Sequence, residues 1–323
     1  MLTPELIDRA VEILRRGGVI ALPTETVYGL AANAEDELAV RRIFAIKGRP
    51  STHPLIVHLP DADALPYWAR DIPEEARRLA AAFWPGPLTL VLRRTPRATD
   101  AITGGQDTVA VRVPNHPVAL AVLRGLGGGL AAPSANRFGR VSPTTAEHVR
   151  QDLGEDVDLI LDGGPCTVGI ESTIVDLSSG EPAILRPGGL ATEELERVLG
   201  RPVPVRTAST VRVSGSLESH YAPRVGVELV EPAQAVARAE SLRLQGLQVG
   251  VLGPRSLALP RDLQRFDIPE DPAGAARLLY LRLREADVAG LDVLLACLPP
   301  AQGLGLAVRD RLSRAAAPRP GDS

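Results

Sequence analysis

The sequence predicts two α/β domains, the first built on a mixed sheet and the second a small doubly wound layer. Three observations carry this. The chain has 323 residues, more than a single core comfortably fills. Up to about residue 200, runs of strand and helix period follow one another without regular alternation, which favours a mixed sheet. Beyond a stretch at 201–224 bearing prolines, serines and Gly215, the two patterns alternate cleanly, as a parallel sheet requires. The domains are expected at 1–200 and 225–323, with 201–224 as linker.

Thr3 and Pro4 read as the cap and first residue of a helix whose Leu6, Ile7, Ala10, Val11 and Leu14 share one face, closed by Gly17 and Gly18. Val19–Leu22 reads as a strand entering the turn-prone Pro23-Thr24-Glu25-Thr26. A helix is expected from Asp36 to Lys47 with Val40, Ile43 and Phe44 inward, then a strand over Leu55–Leu59. A helix over Pro73–Phe83 is broken by Trp84-Pro85-Gly86-Pro87. Strands over Leu88–Leu92 and Val109–Val113 and a helix over Val118–Leu123, closed by glycines through Gly129, come next. Short strands near Leu159–Leu161, Ser172–Leu177 and Ala183–Leu185 complete the first domain. In the second, strands over Val225–Val230, Val249–Leu252 and Val293–Cys297 alternate with helices over Ala233–Leu244, Pro272–Ala286 and Leu306–Ala315.

Composition narrows the function. With 45% hydrophobic and 23% charged residues the chain buries real cores and is not a disordered tail. A net charge of -3 argues against a protein living on nucleic-acid backbone. Two cysteines, Cys166 and Cys297, exclude a disulfide framework and a multi-cysteine zinc site, and His53, His58, His116, His148 and His220 lack zinc spacing. Nothing resembles a membrane span, and the N-terminus is amphipathic and acid-bearing rather than a signal peptide; a soluble, cytoplasmic protein is expected.

Among 36 basic residues Lys47 is the one lysine. Coding bias towards arginine is one reading of that; the favoured one is a site that needs a compact, strongly hydrated charge. Lys47-Gly48-Arg49-Pro50 suits a helix C-terminus closed by glycine, and also a triphosphate; no G-x-x-x-x-G-K-[ST] occurs. Ala132-Pro133-Ser134-Ala135-Asn136 can offer a hydroxyl and an amide to one ligand, or be an ordinary turn. Ser142-Pro143-Thr144-Thr145 looks like a helix cap. Arg112, ending a strand, is either a surface residue or a bidentate carboxylate clamp, and Arg186 carries the same two readings. Glu171-Ser172-Thr173 opens a strand. Gly303-Leu304-Gly305 imitates a dinucleotide fingerprint without its βαβ unit and reads as helix packing. No serine or cysteine has a convincing base beside it.

In order along the chain, Pro23-Thr-Glu-Thr-Val-Tyr-Gly-Leu30, Lys47-Gly-Arg-Pro50 with Pro54-Leu-Ile-Val-His58, Ala132-Pro-Ser-Ala-Asn136, Ser172-Thr-Ile-Val-Asp176 and Leu185-Arg-Pro-Gly188 strongly resemble the YrdC-type L-threonylcarbamoyladenylate synthases in their long, two-domain form. The resemblance implies a twisted mixed-sheet YrdC-like domain with a concave substrate face, plus a smaller Rossmann-like C-terminal domain. It implies synthesis of threonylcarbamoyl-AMP and pyrophosphate from L-threonine, bicarbonate and ATP. The product would pass to a transferase that modifies transfer RNA, without membrane or stable nucleic-acid binding. Matched position by position, Thr26, His58, Arg112, Ala132 and Ser172 fall at threonine-binding places. Arg49, His53, Thr108, Ser134, Ser142, Arg186 and the linker's Tyr221 fall at ATP-binding places. Lys47 and Asn136 would face the phosphates, with Lys47 and Arg49 serving catalysis. Mg²⁺ is implied with ATP, and neither zinc nor an organic cofactor is.

Departures accompany the match. His53 stands where the family commonly has asparagine, and Ala131 where serine is usual. Of the usual linker motif, Val213 to Ser219 retains only Gly215, while His220-Tyr221-Ala222-Pro223 is intact. Two rivals remain: a carbamoyl-adenylate-forming enzyme of hydrogenase maturation, whose acylphosphatase-like and zinc-finger segments are lacking, and an RNA-binding module, which the acidic balance disfavours.

Overall fold

The computed structural model describes residues 3–206, 209–215 and 219–318. Part of the divergent linker stretch, residues 216–218, lies outside them. The chain divides into two units, one of Met1–Phe138 with Ser142–Ser216, the other of Gly139–Val141 with Leu217–Ser323.

Among the described residues the first unit holds ten strands: β1 (Ile20–Leu22), β2 (Gly29–Asn33), β3 (Ile56–His58), β4 (Ala69–Arg70), β5 (Leu88–Arg94), β6 (Thr108–Arg112), β7 (Leu130–Ala131), β8 (Leu159–Ile160), β9 (Thr173–Asp176) and β10 (Ala183–Arg186). Their order is β10-β9-β5-β6-β3-β7-β2-β1-β8, with β4 beside β5. Three parallel pairs (β9 with β5, β6 with β3, β1 with β8) are set among antiparallel ones, which run unbroken from β3 through β7 and β2 to β1, so the sheet is mixed as expected. Strand β2 and the helices Ala146–Leu153 and Thr192–Leu199 are additions to the predicted elements. Thr145 caps the former helix by accepting from the His148 amide, so the cap falls at the end of the predicted Ser142–Thr145 segment.

Alternation along the strands explains the core. Ala21, Leu30, Ala32, Val57, Leu90, Leu92, Val109, Val111, Ala131 and Val175 share one face, beneath Val40, Ile43 and Phe44 of the helix Glu37–Lys47. On the opposite face Ile20, Leu22, Ala31 and Leu130 are covered by the helices Pro4–Arg15 and Pro117–Leu126. Those two helices do not extend over β3, β6, β5, β9 and β10. There the same face carries Ile56, Val91, Ala110, Ile174 and Leu185, and Val213 of the linker packs on them. That change of cover, from helices to linker, defines where a ligand site can lie.

In the second unit β11 (Gly226–Val230), β12 (Val249–Pro254), β13 (Gln264–Ile268) and β14 (Val293–Cys297) form an all-parallel sheet in the order β11-β14-β12-β13. Val251, Leu295 and Cys297 pack with Ala235, Ala239 and Leu242 of the helix Ala235–Leu244, while Leu252, Leu294 and Ala296 point to the other side and are also buried. The helices Pro272–Asp287 and Gly305–Ala316 pack on each other. β13 follows β12 with no helix between, so the predicted alternation skips one strand: Gln264-Arg265-Phe266-Asp267-Ile268 is a half-polar edge strand without the apolar run that betrays a central one. A Cβ at Gly305 would meet the Pro300 carbonyl oxygen at 2.0 Å, which accounts for that glycine by packing, as its sequence context suggests.

Candidate active site

Strand parity assembles the site. On β6, Thr108 and Arg112 lie on the side of Ala110; on β3, His58 lies on the side of Ile56 and stands in register with Arg112. Thr89 of β5 shares Val91's side and its hydroxyl meets that of Ser172, just before β9, at 2.7 Å. Thus His58, Thr108, Arg112 and Ser172 all sit on the sheet face that the two helices leave uncovered, and all four are buried.

The turn between β1 and β2 supplies Thr26. Thr24 organises it: its hydroxyl donates to the Val27 carbonyl at 2.6 Å and accepts from the Thr26 and Val27 amides. Thr26 Oγ1 accepts from Arg112 Nη1 at 2.9 Å, and Arg112 Nε donates to the Gly86 carbonyl at 3.1 Å. Arg112 Nη2 lies 2.6 Å from Glu25 Oε1, with the two side chains 4% and 6% exposed. Arg112 is therefore no surface residue. Its partner Glu25 escaped the sequence reading, although it sits one position before Thr26.

His58 carries a depressed pKa of about 3, because burial penalises its charged form and Arg112 repels a proton; the Ile56 carbonyl, 3.4 Å away, works weakly against them. It is a neutral hydrogen-bonding group at physiological pH. Ala132 is buried and its amide donates to the Ile56 carbonyl at 3.0 Å.

The phosphate-type residues gather around Lys47. The helix Glu37–Lys47 ends on Gly48 at φ 63°, a left-handed cap that glycine adopts without steric cost. Lys47 is 2% exposed, and its ammonium donates to the carbonyls of Ser134 at 2.5 Å and Asn136 at 2.6 Å. Burial first, then the Arg49 charge, holds its pKa well below the ordinary lysine value. Two of three ammonium donors are thus spent on the loop that carries Ser134 and Asn136. Lys47 thereby ties that loop to the helix end. Asn136 Nδ2 donates to the Arg137 carbonyl at 2.8 Å.

Arg49 Nη2 donates to the Pro54 carbonyl at 3.0 Å and reaches Ser214 Oγ at 3.4 Å; its guanidinium lies over the Phe138 ring. His53 meets the same ring edge-on, and its pKa is lowered by burial, then by Arg49 and Arg212. Arg186 donates from Nη2 to the Ser172 carbonyl at 2.8 Å and from Nη1 to the Ser214 carbonyl at 2.8 Å. The arginines expected at ATP therefore both touch Ser214 of the linker. Ser142 Oγ donates to Glu171 Oε1 at 2.6 Å, a second buried carboxylate that its sequence context did not single out. Cys166 is buried, and desolvation followed by Glu25 raises its thiol pKa far above the usual range, which suits no nucleophile.

Tyr221 belongs to the second unit. Its ring is 1% exposed, stacks on Tyr280 with centroids 5.7 Å apart, meets His220 edge-on and lies under the Arg311 guanidinium. Its φ of 59° is left-handed, at a cost of about 1–2 kcal/mol for a bulky residue.

Among the described residues no group of three or more His, Cys, Asp and Glu side chains could hold a metal ion. The residues present fit a divalent cation only as a companion of a triphosphate's own oxygens. No helix among the described residues is long and apolar enough to cross a membrane.

A Sua5/YciO/YrdC family model, described as telomere recombination, matches residues 12–188, and one described as the threonylcarbamoyl-AMP synthase C-terminal domain matches 190–317. Threonylcarbamoyl-AMP synthase of Pyrococcus abyssi is 44% identical over 317 residues, covering 95% of this chain and 92% of the relative. That of Bacillus subtilis is 40% identical, with 97% and 93% covered. The crystal structure of P. abyssi Sua5 complexed with L-threonine superposes with a TM-score of 0.93 at 42% identity, covering 98% of this chain and 95% of that one. Full-length HypF, at 20% identity and a TM-score of 0.51, shares the fold of 58% of the chain and no more. The chain belongs to the Sua5/YciO/YrdC family, in the form that carries the C-terminal domain of the threonylcarbamoyl-AMP synthases.

Proposed function

We propose that this protein makes threonylcarbamoyl-AMP and pyrophosphate from L-threonine, bicarbonate and ATP, in the cytoplasm, for a transferase that modifies transfer RNA. The observation that carries the reading is the meeting of a carboxylate-type set (Thr26, His58, Arg112, Ala132, Ser172) and a phosphate-type set (Lys47, Arg49, His53, Thr108, Ser134, Asn136, Ser142, Arg186) in one unit.

Bicarbonate supplies carbon dioxide and hydroxide; threonine's neutral amine adds the carbon dioxide, giving a carbamate, and the proton that the nitrogen loses joins the hydroxide as water. A carbamate oxygen then attacks the α-phosphorus in line, and the bond to the β-phosphate oxygen breaks as pyrophosphate leaves. This needs no protein nucleophile; it needs position and charge stabilisation. Arg112 holds the amino-acid carboxylate, and neutral His58 with Ser172 and Thr26 orients the rest. Lys47 spends its third donor on the phosphates, while Arg49 and Arg186 exchange Ser214 for phosphate oxygens. Magnesium bound by the triphosphate would neutralise charge on it.

Residues 201–224 link a catalytic domain at 1–200 to the C-terminal domain at 225–323 and act as a lid on the catalytic domain through Val213 and Ser214; Tyr221 keeps the ATP role that the family resemblance implies. Val213 and Ser214 over the site face support this.

The test is mass spectrometry of products from ATP, bicarbonate and threonine. The reading expects threonylcarbamoyl-AMP and pyrophosphate only with all three present. Turnover of carbamoyl phosphate without threonine would instead favour the carbamoyl-adenylate chemistry.

A further inference from the structure

Glu25 and Arg112 form an ion pair inside the site that the reaction as described leaves unused. Both Glu25 oxygens are sealed from solvent, and Arg112 Nη2 stands 2.6 Å from Oε1. A lone guanidinium attracts any carboxylate. A guanidinium already carrying a buried counter-ion presents almost no net charge and gains little from a plain anion. A zwitterion differs: its carboxylate can use the guanidinium's remaining N–H groups while its ammonium is drawn by the negative member of the pair. Nε and Nη1 of Arg112 are hydrogen-bonded to Gly86 and Thr26, while Nη2 faces Glu25 as an ion pair without hydrogen-bond geometry, so Arg112 keeps N–H groups for a ligand. The pair is also rigid, because Thr24 fixes the turn that carries Glu25 and the Glu25 carbonyl accepts from the Val168 amide at 2.8 Å.

We propose that Glu25 is a specificity-determining residue: as the buried counter-ion of Arg112 it makes the amino-acid subsite select zwitterions over simple carboxylates. This rests on the functional reading above, in which Arg112 takes the threonine carboxylate. The cell offers many small carboxylates and ample bicarbonate, so an unguarded guanidinium would be occupied unproductively.

The experiment compares calorimetric binding of L-threonine and of 3-hydroxybutyrate, which is threonine without its amine, with ATP binding as the control for an intact site. The wild type should prefer threonine strongly. Glu25→Gln should narrow that preference about tenfold, because 3-hydroxybutyrate tightens on an unscreened charge in a site of low effective dielectric. Glu25→Asp keeps the charge but withdraws it by one methylene, and should narrow the preference about threefold; it decides the matter if Glu25→Gln fails to fold. An unchanged preference in the variant that folds, with ATP binding intact, overturns the proposal. Failure of the wild type to bind threonine at all would instead bring down the functional reading, and the proposal with it.

Discussion

Arg112 and Glu25 close a charge pair at 2.6 Å across two strand systems, β6 and the β1–β2 turn, in a place almost sealed from water. Breaking such a pair from one side leaves an uncompensated buried charge and costs about 3–5 kcal/mol. Arg112→Lys keeps the charge and loses the fork, so it separates recognition from stability. It should raise the threonine KM by about ten- to a hundredfold, the loss of a bidentate charge-assisted contact, with the ATP KM little changed. Steady-state kinetics check this; a raised ATP KM with an unchanged threonine KM would reverse the assignment.

Lys47→Ala should lower kcat on the order of 10²–10³ and affect threonine binding far less, since its charge matters most where the phosphates become more negative. The same change strands the Ser134 and Asn136 carbonyls. Lys47→Arg should recover only part of the activity, because a planar guanidinium does not fit between two carbonyls at 2.5 and 2.6 Å while also reaching a phosphate. Full activity in Lys47→Arg would leave coding bias as the reason for the lone lysine.

His58 makes stability depend on acid. Unfolded, it titrates near its ordinary 6.5; folded, near 3. Between those values the unfolded chain holds a proton that the folded one refuses, so stability falls as pH drops through that window and is unaffected above it. From pH 7.5 to pH 5 the contribution is about 2 kcal/mol. Urea midpoints of His58→Gln should therefore depend on pH more weakly than the wild type's by that amount. Equal dependence would mean the folded imidazole is protonated after all.

The linker should respond to ligand. With one buried lysine to cut, trypsin reads the arginines, and Arg212 is held by Gly104 and Gln106 next to the site face. Cleavage there should slow at least about threefold once ATP and threonine are bound beneath it, as expected of a closing segment. Tyr221→Phe preserves the packing with Tyr280 and removes one hydroxyl; a lid that touches ATP through that hydroxyl predicts a raised ATP KM with unchanged thermal stability. Equal cleavage rates together with a wild-type ATP KM would leave the segment a tether.

Where a pattern is local, it was legible. The helix Glu37–Lys47 announces itself through Asp36, which caps it by accepting from Leu38 and Ala39, and through Gly48 at its end. The strand Gly29–Asn33 does not: Gly-Leu-Ala-Ala-Asn lacks β-branched residues and holds its place by pairing on both sides. The site shows the same division. Residue types named Arg112 and Lys47, because chemistry is written in side chains, and Ser172 came only with the family resemblance. Their partners Glu25, the Ser134 carbonyl and Thr89 lie 87, 87 and 83 positions away in sequence, joined only by register and turn geometry.

The lone lysine has an experimental consequence. Amine-acylating reagents have one side-chain target in this chain, and that target is sealed inside the site with its ammonium on two carbonyls. The protein therefore carries a built-in single-position footprinting probe. The acylation rate at Lys47, read by peptide-level mass measurement that separates it from any α-amine, reports how often the loop bearing Ser134 and Asn136 lets go of the helix end, without any label having to be engineered.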